Sequence, residues 1–271
     1  MERLSPHDVP ALVRLCPNVS GHPLTEPELR AALFPTDQPT WVFGDPQTGV
    51  VATALDGPHG FVRLLSVVEH RRRQGVGREL LVAAERHLAA EGAVDVVLGA
   101  DAPHHLWAGV PTDAPAMCCL AEAMRYRRVG VNLGVDVPLH SLPADLGGWR
   151  RAAIDDVPTV HEFCRRHYPD WSNEATRATA AGTMTVSFDG DELVGFCAFD
   201  VNRRGALGPV AVRPDMVGRG AGRPALLGAL HTMRARGDEL AAVQWVGPLR
   251  PYVQLGGHIS QHYLVYRKAL S

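Results

Sequence analysis

The sequence predicts two α/β (α+β) domains in tandem, and three observations predict it. The chain has 271 residues, a natural length for two domains of about 130 each. Asp8-Val9-Pro10 followed by Cys16 returns as Asp156-Val157-Pro158 followed by Cys164, 148 residues on. Gly75-Val76-Gly77, between an apolar run and a helical pattern, returns as Gly220-Ala221-Gly222, 145 residues on. Pro and Gly interrupt the apolar periodicity in Ser141-Leu142-Pro143-Ala144-Asp145-Leu146-Gly147-Gly148, which places domains at 1–140 and 149–271 around a 141–148 linker.

In the first half Asp8 is positioned to cap a helix reaching Cys16, with Pro10 in its first turn. Thr25 starts a second helix through Leu33, and Glu28 completes a capping box. Trp41–Phe43, Val50–Leu55 and Phe61–Val68 read as strands, the last two joined by Asp56-Gly57-Pro58-His59-Gly60. After the glycine loop, Leu80, Leu81, Ala84 and Leu88 share one face of a helix that Gly92 ends. A buried strand at Val94–Leu98, a helix near Pro115–Met124 and a strand near Val129–Val137 complete the half. The second half repeats the order. Strands are expected at Trp149–Ile154, Met184–Phe188, Leu193–Phe199, Ala206–Val212, Leu240–Trp245 and Ile259–Arg267. Helices are expected from Asp156 to about Arg166, from Ser172, and from the second glycine loop to about Arg236.

Composition narrows the function. Hydrophobic residues at 46% and charged residues at 21% give each half a core and exclude disorder as the main state. A net charge of -2 offers no electrostatic reason to expect nucleic acid or an anionic membrane as a partner. No apolar run approaches the roughly 18 residues of a spanning helix, and MERLSPHDVP lacks a signal-peptide core, so a cytoplasmic protein is expected. Cys16, Cys118, Cys119, Cys164 and Cys197 are odd in number and form no C-x-x-C, which reads as reduced structural thiols. His104-His105 lacks partner ligands at metal-site spacing, so no metal is expected.

A strand, a glycine turn and a helix in succession form a phosphate-binding arrangement, because backbone N–H groups and the helix N-terminus converge on an anion. Gly77 is followed by Arg78-Glu79 and Gly222 by Arg223-Pro224, so neither loop has the G-K-[ST] of a P-loop, and neither supplies G-x-G-x-x-G. In Leu65–Gly77, Arg72, Gly75 and Gly77 match R/Q-x-x-G-x-G/A, and the loop resembles the coenzyme A pyrophosphate loop of the GNAT superfamily of N-acetyltransferases. In Val210–Gly222, Pro214, Gly220 and Gly222 fit the same pattern, while Val217 stands where the family has Arg or Gln. The element order of both halves agrees with the family fold. The resemblance therefore spans nearly the whole chain as a tandem GNAT, each domain a mixed, mostly antiparallel sheet flanked by helices. Gln244–Tyr252, Leu106–Asp113 and Tyr168-Pro169-Asp170-Trp171 are similar to segments of glucosamine/glucosaminide N-acetyltransferases.

This resemblance implies acetyl-CoA as cofactor and a small-molecule primary amine, an amino sugar for instance, as substrate. It implies cofactor contacts from Val67, Val68, Arg72, Arg73, Gln74, Gly75, Val76, Gly77 and Arg78 in the first half. The second half offers Val210, Ala211, Val212, Val217, Gly218, Arg219, Gly220, Ala221, Gly222 and Arg223. Tyr252 stands where the family often places the proton donor to the departing thiolate, and Ala121 is at the equivalent place in the first half. The C-terminal half is thus expected to do the chemistry, with the N-terminal half holding cofactor or forming one wall of the substrate cleft. Candidate substrate contacts are Asp170, Trp171, Glu174, Asp200 and Trp245, with no general base evident among them. The competing reading is a non-catalytic acyl-CoA-binding or sensing protein. Because two fused related halves can replace a homodimer, both a monomer and a homodimer stay open.

Overall fold

The computed structural model describes residues 1–16, 18–19, 22–145 and 147–270. Leu146 of the expected linker lies outside them. In chain order the elements are α1 (Val9–Leu15), β1 (Asn18–Val19), β2 (His22–Pro23), α2 (Glu26–Leu33), β3 (Thr40–Asp45), β4 (Gly49–Asp56), β5 (His59–Val67), α3 (Val76–Ala90) and β6 (Asp95–Leu98). Then follow β7 (Val110–Pro111), α4 (Pro115–Ala123), β8 (Arg127–Pro138), β9 (Arg150–Arg151), α5 (Val157–His167) and α6 (Ser172–Ala180). The chain continues with β10 (Met184–Asp189), β11 (Glu192–Phe199), β12 (Leu207–Val212), α7 (Arg223–Ala235), β13 (Leu240–Val243), α8 (Arg250–Val253) and β14 (His258–Ala269). Among the described residues no helix is long and apolar enough to cross a membrane.

The fold is the expected mixed, mostly antiparallel α/β architecture, built twice. The compact units are Met1–Leu133 together with the chain from Gln261 on, and Gly134–Ser260. Continuous domains of 1–140 and 149–271 are therefore not the compact units. In the first unit β6 pairs antiparallel with the C-terminal β14, Tyr266 opposite Leu98. In the second, the corresponding β13 pairs with β8, Val243 opposite Val135. Each half of the chain thus contributes its closing strand to the other half's unit. Alternating apolar residues say that these segments are strands, but not which sheet they complete.

The first unit carries antiparallel β3, β4 and β5, with β6 running parallel to β5. Leu80, Leu81, Ala84 and Leu88 of α3 cover one face together with Val51, Val62 and Val96. Val9 and Leu12 of α1 and Leu29 and Leu33 of α2 cover the other with Val50, Ala52 and Leu64. The Thr25 capping box forms as the spacing requires, Thr25 N donating to Glu28 Oε2 at 2.8 Å. Asp8 behaves differently from expectation. Its carboxylate accepts from Ser5 N (2.8 Å) and closes a 3₁₀ turn ahead of α1 rather than capping α1 itself. Asp156 does the same with Ala153 N at 2.7 Å, so the repeat extends to hydrogen-bonding detail.

The second unit carries antiparallel β9–β10–β11–β12. α7 packs one face through Leu226, Leu230 and Met233 against Cys197, Phe199 and Leu207. α5 and α6 pack the other through Val160, Phe163, Ala175 and Ala178 against Val186, Phe196 and Ala211. The expected strand Trp149–Ile154 shrinks to β9. Trp149 is drawn onto α7, where its ring leaves no room for a Cβ at Gly228, and Ile154 opens a 3₁₀ turn.

Candidate functional site

Both units pair two parallel strands in the same register before the strands part. In the first unit the β5–β6 ladder runs from His59↔Asp95 to Val62↔Leu98, while β5 continues against β4 to Val67. In the second, Ala206 bridges Ala242 in parallel, and β12 then runs on against β11 to Val212. Phe61↔Val97 and Ala206↔Ala242 are the same pair 145 residues apart. β5 and β12 each carry a bulge just past this point. In β5 the pairing slips between Ala52↔Leu64 and Thr53↔Val62, leaving Arg63 as the extra residue. In β12 it slips between Cys197↔Val210 and Phe199↔Leu207, so that Gly208 and Pro209 oppose Ala198.

Arg63 and Gly208 thus occupy equivalent positions with opposite consequences. Arg63 is 1% exposed and Asp101 is fully buried, and Arg63 Nε donates to Asp101 Oδ2 at 2.6 Å. The other guanidinium nitrogens reach the Ala32 carbonyl and Gln38 Oε1, and Gln38 Nε2 donates to Asp101 Oδ1 at 3.1 Å. This closed network fills the gap on the α1–α2 side. At Gly208 a Cβ would meet nothing within 4 Å, and the position matching Asp101 is Val246. The gap in the second unit is open where the first is filled.

The loops that follow share a backbone. Arg73 and Gly218 both have positive φ (60° and 80°), as do Gly75 and Gly220 (91° and 82°). No side chain caps α3, so Val76, Gly77 and Arg78 begin a helix whose first intrahelical bond is Glu79 N to Gly75 O at 3.0 Å. Such an end, with Arg72, Arg73 and Arg78 exposed around it, suits a diphosphate. Beside it a cavity of about 560 Å³ has Val67, Val68, Arg14 and Arg72 in its wall, together with the carboxylates Asp45 and Glu69. In the second loop Pro224 stands where Glu79 does and has no N–H. Gly220 O therefore accepts from Arg223 N (3.0 Å), and α7 starts only after Gly222. Gly222 is required close to the strand, since its Cβ would lie 3.3 Å from Val212 Cβ. Arg213 is held by Glu192 and by Asp215 (2.8 Å), which leaves Arg219 and Arg223 as exposed cations.

Equivalent carbonyls at the strand ends are also taken, by different side chains. Arg72 Nε donates to Val67 O at 3.0 Å, and Tyr168 Oη donates to Val212 O at 2.6 Å. Because Arg213 N bonds Val194 O on the β11 side, Val212 and, two residues back, Val210 turn their amides away from β11. Tyr168 stacks on Trp171 at 4.8 Å and 7°, tying the α5–α6 connection to the end of β12. Neither Tyr168 nor the Arg63–Asp101 pair stood out as a functional residue in the sequence.

Tyr252 lies on α8, 6% exposed, in the cluster that holds Cys197 and Val210 next to the bulge. Burial, with Cys197 nearby, pushes its hydroxyl well above the ordinary tyrosine range, so it stays protonated. Gly257 N donates to Tyr252 O at 2.9 Å, and Tyr126 N donates to Ala121 O at 2.9 Å. This matching turn puts a methyl group in the first unit where the second has a phenol.

The substrate candidates separate. Asp200 (φ 58°) accepts from Gly205 N at 2.8 Å and pairs with Arg236, so its carboxylate is engaged in shaping the β11–β12 turn. Asp170 is exposed, and Trp245 is 44% exposed. Glu174 is buried on α6 and accepts from Asn202 Nδ2 at 3.3 Å; Asn202 also receives Arg177 Nη2 at 3.2 Å. Burial raises the Glu174 carboxyl to about 7, against the opposing pull of Arg177 and Asn202. The folded chain then holds this proton more tightly than the unfolded chain, so stability falls as pH rises from the ordinary glutamate range through about 7. The loss amounts to about 3 kcal/mol. Glu174→Gln is expected to flatten this slope in denaturation at about pH 4.5 and pH 8. An unchanged slope would show that Glu174 does not titrate this way.

The acetyltransferase (GNAT) family model matches residues 25–108 and again 149–248. The chain belongs to the GNAT acetyltransferase family, whose members use acetyl-CoA, and carries the family domain twice. The chain is similar to a glucosamine N-acetyltransferase region in a fungal multi-domain GH3 β-N-acetylglucosaminidase, with TM-score 0.79 and 20% identity. That match covers 98% of this chain and 38% of the other, so the chain spans well under half of that protein. A GCN5-related N-acetyltransferase from Sphaerobacter thermophilus matches with TM-score 0.71 and 18% identity, covering 99% and 95% of the two chains. A tandem GNAT protein from the clavulanic acid biosynthesis pathway matches with TM-score 0.70 and 16% identity, covering 99% and 98%. Identities this low establish a shared fold. Comparison with curated protein sequences finds no match.

Proposed function

We propose that the protein is an acetyl-CoA-dependent N-acetyltransferase that acetylates the primary amine of a small molecule, an amino sugar, and that the second unit does the chemistry. The observation that carries this reading is the open bulge at Gly208–Pro209 with Tyr252 packed beside it. The first unit has Arg63 and Ala121 at those two places.

Residues of the second unit suit the carrier. Gly218, Gly220, Ala221 and Gly222 form a turn with room above it, with Arg219 and Arg223 exposed to balance phosphate charge. When bound, acetyl-CoA supplies an acetyl group activated as a thioester. The Val210 and Val212 amides, turned away from β11, orient a carbonyl and stabilise negative charge on its oxygen. The Tyr252 hydroxyl holds a proton on the α7 side of the sheet, ready for the departing thiolate. The acceptor approaches from the α5–α6 side, past Trp171 on its Tyr168 stack. An amine flanked by sugar hydroxyls is less basic than lysine, so it asks less of a general base. The likeness to a glucosamine N-acetyltransferase region and the half-buried Trp171 support an amino sugar over a peptide.

The test is thiol release from acetyl-CoA across an amine panel that includes glucosamine and a lysine peptide. Release that depends on an amino sugar supports the reading. Retained acetyl-CoA binding with no amine-dependent release from any member would replace it with an acyl-CoA sensor.

A further inference from the structure

The Arg63–Asp101 pair lies in the first unit where β5 and β6 part. The β5–β6 ladder stops at Val62↔Leu98, and Arg63 is the next residue of β5. Its side chain spans from that strand to Asp101, three residues past the end of β6, and is tied at the same time to Ala32 and Gln38. The Arg63 and Asp101 side chains are both buried, at 1% and 0% exposure. A buried ion pair held by further hydrogen bonds does not open cheaply, because moving one partner leaves the other charge buried and alone. The loop further along the same strand is unaffected. α3 remains uncapped and ringed by Arg72, Arg73 and Arg78, and the cavity beside it stays open.

We propose that the Arg63–Asp101 pair closes the first unit to the acyl arm, so that this unit recognises its ligand by the nucleotide diphosphate end alone and is blind to the acyl group. The proposal rests on the reading that these loops grip a coenzyme A diphosphate. It makes Arg63 a specificity-determining residue, and the first unit a holder of acylated and free coenzyme A alike.

The experiment uses the full chain carrying Gly220→Glu, which leaves the first loop as the carrier site. Acetyl-CoA, coenzyme A and 3′-phosphoadenosine 5′-diphosphate are titrated by calorimetry. The proposal expects all three to bind within about fivefold of one another. Adding R63G/D101V, which installs the residue types of Gly208 and Val246 and leaves no lone charge, is expected to favour acetyl-CoA over the nucleotide by more than about fivefold. A preference for acetyl-CoA above that ratio with Arg63 and Asp101 in place would overturn the proposal, as would binding of none of the three probes. If the double variant does not fold, the three-ligand comparison with the pair intact decides alone. These outcomes are independent of the amine panel, which tests the second unit.

Discussion

Replacing Tyr252 with Phe is expected to lower kcat by about 100-fold or more while leaving acetyl-CoA affinity nearly intact. The phenol is buried beside Cys197 and Val210, next to the bulge in β12. Phe keeps the ring that packs there and removes only the proton. Because burial raises the hydroxyl, the wild-type group is protonated throughout the neutral range, and no activity should be lost to its ionisation below about pH 10. A variant within about threefold of wild type would remove Tyr252 from the chemistry and make it a core residue.

Asp101→Ala is expected to destabilise the first unit by about 3–5 kcal/mol, since it strands the Arg63 guanidinium in the core. The cost is that of an unpaired charge, not the net worth of the pair. Substituting both, as R63M/D101L, should therefore recover most of the loss in denaturant titration. A loss below about 1 kcal/mol for Asp101→Ala would mean that water reaches the guanidinium and that the gap is not sealed.

Some of this was legible in the sequence because its signals are local. Thr25 and Glu28 are three residues apart, and the glycine loops carry their backbone requirement in their own residues. The exchange of β8 and β14 was not legible, because an apolar alternation marks a strand without saying which sheet it completes. Arg63 and Asp101 are 38 residues apart, and only the fold joins them. A charge inside the apolar run Phe61–Val68 was a signal, and setting it against Gly208 at the 145-residue offset would have exposed the asymmetry. Asp200 illustrates the opposite case. A carboxylate at a strand end reads as a substrate ligand, but here the turn to Gly205 and the Arg236 ion pair engage it. The late start of α7 follows from Pro224 once the equivalent residue is known to be Glu79, an equivalence fixed by the shared φ pattern of the loops.

The most direct measurement is amine-dependent thiol release by two loop variants compared side by side, Gly75→Glu and Gly220→Glu. Each puts a Cβ and a negative charge on a left-handed backbone at a diphosphate loop. Transfer by the second unit predicts that Gly220→Glu lowers turnover at least about tenfold more than Gly75→Glu. Turnover abolished by Gly75→Glu but retained by Gly220→Glu would place the chemistry in the other unit and contradict the account.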